Sequence, residues 1–185
     1  MHSLETITLL ALNNIKSFGT KTIISIYEEY KYINNKFCLD LFLDFLNNNK
    51  KLSNEFIDEL NNIVNFIKYE LSKEELKDIT IISYFDSQYP IQLKLLKNPS
   101  LFLFCKGNTE LLSGKKNIAV VGTRENSKIG EQVAIKTAEY FSSKKYTIVS
   151  GLAKGIDTAG HVGALNVKGK TIAIHKLFSD LPQDP

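Results

Sequence analysis

A chain of 185 residues has room for one domain, or for a small domain joined to a moderate one. With 43% hydrophobic and 23% charged residues it has ordinary globular composition, and a net charge of +3 permits nucleic-acid binding through a local patch without arguing for it. Two distant cysteines, Cys38 and Cys105, signal neither a zinc site nor a disulfide framework. No apolar run reaches the roughly 18 residues that span a bilayer, and Met1–Glu5 lack the basic region of a secretory signal. A reduced cytoplasmic setting is the expectation.

From Leu4 to about Tyr32 the pattern is helix, short turn, helix. Leu9, Leu10 and Leu12 lead into Ile15-Lys16-Ser17-Phe18-Gly19, and Thr20 is expected to cap a second helix carrying Ile23, Ile24 and Ile26. The turn fits a helix-hairpin-helix (SAM-like) module, whose backbone N–H groups face a DNA phosphate. It fits equally a plain αα-hairpin in which Gly19 serves a tight turn. Phe37 to Leu46 is densely apolar, with Asp40 and Asp44 spaced i, i+4 as on the solvated face of an amphipathic helix. Ser53 is expected to cap the next helix, where Phe56, Ile57, Leu60, Ile63, Val64, Ile67 and Leu71 share one stripe. Ser72 and Glu75 have capping-box spacing for a further short helix. Residues 1–77 therefore read as a small all-helical domain, and 78–185 as a second domain with no Gly/Pro-rich linker between them.

Ile79 to Phe85 is β-branched and aromatic, hence a strand. It ends at Tyr89-Pro90, and a second strand is expected from Leu101 to Cys105, closed by Lys106-Gly107-Asn108. The two are expected to form an arm against the sheet that follows. That sheet is signalled by three apolar runs, Ile118–Val121, Tyr146–Val149 and Thr171–Ile174. Two helical stretches separate them, so the order is βαβαβ, an α/β fold with a Rossmann-like parallel sheet.

Ligands of such sheets sit beyond the carboxyl ends of the strands, where helix amino termini carry positive dipole. Two loops lie there, Gly122-Thr123-Arg124 and Ser150-Gly151-Leu152-Ala153-Lys154-Gly155. Each carries a cation, so an anion is the natural guest. Gly122 permits close backbone approach, and Ser127 is expected to cap the helix running to about Lys144. Arg124 can take a phosphate bidentately; the alternative is a structural ion pair, for instance with Asp157. Asp157 itself reads as the N-cap of the helix through Leu165, and Gly160, Gly163 and Ala164 as its small-residue face. His161 has no second histidine or cysteine nearby and does not signal a metal. Neither G-x-x-x-x-G-K-[ST] nor G-x-G-x-x-G is present, so no dinucleotide cofactor is indicated.

These residues also carry a resemblance. Gly122-Thr123-Arg124 with Ser127 and Gly130, the Ser150–Asp157 loop, Ala159, His161, Gly163-Ala164-Leu165 and Thr171–Ile174 resemble the DprA/Smf family at its own spacing. Upstream, Tyr89-Pro90, Leu93, Pro99, Leu103-Phe104 and Lys106-Gly107-Asn108 extend the match, which runs from about Asp78 to Ile174. The resemblance implies a non-catalytic, cofactor-free mediator of recombination that binds single-stranded DNA. It matches Arg124 and Lys154 to basic residues of the family's DNA pocket, with Gly122, Thr123, Ser127 and Gly151 shaping its walls. Implied partners are single-stranded DNA, a RecA-type recombinase and a second copy in a homodimer. After Ile174 the sequence departs from the family pattern, so the second domain is expected to be incomplete at its carboxyl end. A small-nucleotide enzyme or sensor of the same superfamily, and an inactive truncated form, are the alternatives.

Overall fold

The computed structural model describes residues 2–50 and 53–175. They fall into two compact units, Met1–Ser113 and Gly114 onward. The first unit contains α1 (Leu4–Asn14), α2 (Thr20–Ile33), α3 (Leu39–Lys50), α4 (Asn54–Leu71), β1 (Ile79–Ser83), a single-turn α5 (Ile91–Lys94) and β2 (Phe102–Lys106). The second contains β3 (Asn117–Ala119), α6 (Lys128–Ser143), β4 (Thr147–Gly151), α7 (Ile156–Asn166) and β5 (Thr171–Ile174).

In the first unit the apolar stripes meet at helical spacing. Leu9 and Leu12 of α1, Ile23 and Tyr27 of α2, Phe42 and Leu46 of α3 and Leu60 of α4 are all fully buried. Tyr30 packs edge-on against Phe42 with ring centroids 5.0 Å apart. The hydroxyl of Tyr27 donates to the Glu5 carboxylate, and burial, followed by that bond, pushes the phenol pKa well above its ordinary value. Asp40 and Asp44 are exposed, as expected of a solvated face.

The helix ends hold two corrections. Thr20 is the first residue of α2 and Gly19 its N-cap, with no side-chain bond there. Ser72 closes α4 instead of opening a new helix: its hydroxyl donates to the Tyr69 carbonyl, and a short 3₁₀ turn follows at Glu74–Leu76. Ser53 does cap α4, accepting from the Phe56 N–H. The hairpin turn between α1 and α2 spends the Ile15 and Phe18 N–H groups on the Leu12 and Ile15 carbonyls.

The boundary expected after residue 77 falls elsewhere. β1 and β2 pair with each other, antiparallel, with Ser83 opposite Phe102. Ile81, Leu101 and Phe102 then join the helical core, so the pair belongs to the first unit instead of forming an arm of the second.

The second unit is a parallel sheet in the order β3-β4-β5, with Ile118 beside Ile148 and Ile148 beside Thr171. Each strand pairs with the next in sequence, so right-handed crossovers bring α6 and α7 to the same face. There they pack on each other and on β4, over the fully buried Ile148. Gly163 makes the helix contact possible: a Cβ there would stand 2.8 Å from that of Ala138. Gly160, by contrast, lies on Val120 of the sheet. Ser127 caps α6, accepting from the Gly130 N–H at 3.1 Å. The alternate residues Ala119, Val149 and Ile172 stand in register on the other face. The segment after His175, where the family pattern is expected to lapse, lies outside the described residues.

Candidate functional site

Two loops leave the carboxyl ends of adjacent parallel strands, and the backbone makes them one object. The buried Ser150 hydroxyl donates to the Val120 carbonyl, joining the root of the first loop to β4. The Ile156 N–H donates to the Thr123 carbonyl at 3.2 Å, joining the first loop to the start of α7. Between them Gly155 sits at φ +88°, a region that favours glycine. A Cβ there would overlap the Thr123 carbonyl oxygen and stand 2.9 Å from the Arg124 Cα. Gly122 in turn lies flat against the Ile156 side chain. Gly122, Thr123, Arg124, Gly151 and Lys154 are thus brought together in one cradle.

A hydroxyl ties down each loop, one from the first loop itself and one reaching back from α7. Thr123 Oγ1 accepts from the Glu125 N–H at 3.1 Å, and Thr158 Oγ1 donates to the Ala153 carbonyl at 2.8 Å. Ser127, expected among the pocket walls, has its hydroxyl engaged in the cap of α6. Arg124 and Lys154 are exposed, and among the described residues neither belongs to an ion pair. Val121 and Leu152, 67% and 61% exposed, lie next to them in the two loops. The cradle therefore offers two unneutralised cations with apolar surface beside them.

Asp157 departs from expectation. The N-cap of α7 is Gly155, whose carbonyl accepts from the Ala159 N–H, and Asp157 lies inside the first turn. It is buried, and its carboxylate fills the space that a side chain on Gly151 would need. The alternative pairing of Arg124 with Asp157 is not formed. One turn on, His161 reaches back to the same strand end: Nε2 lies 2.7 Å from the Gly151 carbonyl oxygen and Nδ1 2.6 Å from Thr171 Oγ1. Thr171 Oγ1 also lies 3.0 Å from the Ile148 carbonyl oxygen.

Sequence reasoning passed over Ser150, Gly155, Thr158 and His161 as parts of the cradle. Ser150 meets a carbonyl 30 positions away, a contact that no local pattern announces. Among the described residues no group of three or more His, Cys, Asp or Glu side chains is arranged to hold a metal, and no helix is long and apolar enough to cross a membrane.

A βαβαβ unit with two cation-bearing loops locked together at its carboxyl end defines a Rossmann-like α/β module. Residues 80–178 match the family model of DNA recombination-mediator protein A, and the chain belongs to that family. It is 40% identical over 96 residues to the DNA processing protein DprA of Bacillus subtilis, covering 52% of this chain and 32% of that protein. To the DprA of Streptococcus pneumoniae it is 45% identical over 104 residues, covering 56% and 36%. The chain thus spans about a third of the length of these curated relatives. The X-ray structure of DNA processing protein A from Streptococcus pneumoniae superposes with a TM-score of 0.65 and 31% identity, over 94% of this chain and 57% of that one.

Proposed function

We propose that the cradle binds the phosphodiester backbone of single-stranded DNA, with Arg124 and Lys154 each holding a phosphate. The observation that carries this is the pair of exposed cations, free of ion pairs among the described residues and set on two interlocked loops. Helix dipoles at the starts of α6 and α7 add to their field. Gly122, Thr123 and Gly151 form walls low enough for the backbone to approach, and Ser127 holds α6 in place. Exposed Val121 and Leu152 suit unstacked bases, which a duplex does not present. The chain acts without catalysis in this reading, in the cytoplasm, and serves to protect a strand and pass it to a RecA-type recombinase. A homodimer and an accessory DNA contact by the helical unit belong to the same proposal.

Fluorescence anisotropy with single- and double-stranded oligonucleotides tests it. Single strands are expected to bind more tightly, with affinity depending little on sequence. Arg124→Ala and Lys154→Ala are each expected to cost about 1.5–3 kcal/mol on every sequence. Each should also flatten the salt dependence by up to about 0.7 log units per log of salt. Arg124→Lys should recover part of the loss, because a point charge replaces a planar fork. If both alanine variants stay folded and bind like the parent, the cradle is not the DNA site.

A further inference from the structure

His161 is engaged at both ring nitrogens, and its partners constrain where protons sit. The Gly151 carbonyl can only accept, so Nε2 must carry a proton. Thr171 Oγ1 has one proton to give and two neighbours to give it to, the Ile148 carbonyl at 3.0 Å and His161 Nδ1 at 2.6 Å. If that proton goes to Ile148, Thr171 must accept from Nδ1, and the ring carries both protons and a positive charge. If it goes to Nδ1, the ring is neutral and the bond to Ile148 is released. Only the imidazolium satisfies all three contacts at once.

From this geometry we infer that His161 is a positioning residue that couples protonation to DNA binding at the cradle, an inference that rests on the phosphate-binding reading above. Its Nε2 holds Gly151, the last residue of β4 and the root of the Lys154 loop, while its Nδ1 anchors that root to β5. Proton uptake therefore tightens the base of the loop and adds one positive charge behind it. The charged and titratable groups around the ring are few. Asp157 stands one turn earlier on α7, with its carboxylate against Gly151. Lys154 lies in the loop itself, and Lys170 and His175 flank β5 in sequence. β4 brings backbone carbonyls and no charged side chain. Among the described residues no carboxylate forms an ion pair with the ring.

Histidine is the side chain that changes charge between about pH 5 and pH 8, so the whole chain is titrated with a fluorescent oligothymidine at fixed salt across that range. The parent is expected to bind about two- to five-fold more tightly at the acid end, the size of one partly screened charge pair. His161→Gln keeps an N–H for Gly151 but cannot titrate, and its affinity is expected to be flat. Thr171→Val removes the acceptor for the second ring proton and should move the change to lower pH. A parent without an acid response, or a His161→Gln variant with the same response, overturns the inference. The ¹⁵N resonances of the His161 ring give a readout that needs neither variant nor DNA. Two protonated nitrogens at acid pH support it, and a ring held in one neutral tautomer throughout refutes it. Arg124→Ala separates the two readings, being expected to bind weakly at every pH while keeping the acid response. Should it bind like the parent, the phosphate assignment fails even if the ring titrates as described.

Discussion

Gly155→Ala is the most economical challenge to the idea that two loops form one cradle. At φ +88°, ψ −131° the backbone lies in a region that is almost exclusively glycine's. Holding alanine there costs about 1–3 kcal/mol. The added Cβ would stand 2.8 Å from Asn126 Oδ1 and 2.9 Å from the Arg124 Cα, where ordinary contact begins at 3.4 Å. Against the Arg124 Cα the shortfall is thus about 0.5 Å, against the overlapped Thr123 carbonyl oxygen it is larger, and overpacking of that kind adds at least about 1–3 kcal/mol. The total is about 2–6 kcal/mol, and the second unit can shed part of it only by moving the Thr123–Arg124 backbone away from α7. That movement breaks the bond from the Ile156 N–H to Thr123 and separates the two cations. The expected result is a lowered melting temperature together with at least about tenfold weaker binding of single strands, tenfold corresponding to about 1.4 kcal/mol. Circular-dichroism melts and anisotropy on the same preparation measure both. A variant that melts and binds like the parent would refute the interlock, since the loops would then be independent.

Two further substitutions and titrations probe the packing on which the cradle and the helical unit rest. Ser142 Oγ is buried in α6 with no hydrogen-bond partner among the described residues, so Ser142→Ala is expected to stabilise the second unit by about 1 kcal/mol, read as a higher melting temperature; a loss of stability would mean that the hydroxyl has a partner. Tyr27 has its pKa raised by burial and by its bond to Glu5, so its contribution is fully present below the ordinary tyrosine pKa of about 10 and is lost as pH rises toward its higher folded value. In alkaline difference spectroscopy Tyr27 is expected to ionise only with unfolding, and Tyr27→Phe should remove one late-titrating group. Early ionisation of Tyr27 would contradict the buried bond.

The parallel-sheet unit was legible because its signals are local. Each strand is a short β-branched run, and each helix begins after a recognisable loop. The Ser127 cap needs only the Gly130 N–H three residues away. The same habit of looking for side-chain caps misplaced Asp157, Thr20 and Ser72. α7 begins on a glycine whose conformation, not its side chain, ends the loop. β1 and β2 were readable as strands but not as members of the helical unit, because their partners are fixed by burial. Ile81 and Phe102 enter a core built by residues 7–67, a choice that no window of a few residues contains. The two site cations followed from their place at strand ends. The ties that hold them together, Ser150 to Val120 and His161 to Gly151, span 30 and 10 residues and had no pattern to betray them.

The sequential strand order of the second unit has a kinetic consequence. Because β4 pairs with both its neighbours in the chain, every strand meets its partner after one intervening helix. Loop-closure entropy is then met in small steps, and contact order stays low for a parallel sheet. The stretch from β3 through β4 already supplies Val120, Ala134, Ala138 and Ile148 of the six described buried residues in this core, so a partial nucleus can form before α7 and β5 leave the ribosome. The first cationic loop would exist in that nucleus, but its interlock with Gly155 would close only when α7 docks. Binding competence should therefore appear late in refolding, after most of the helical signal has returned.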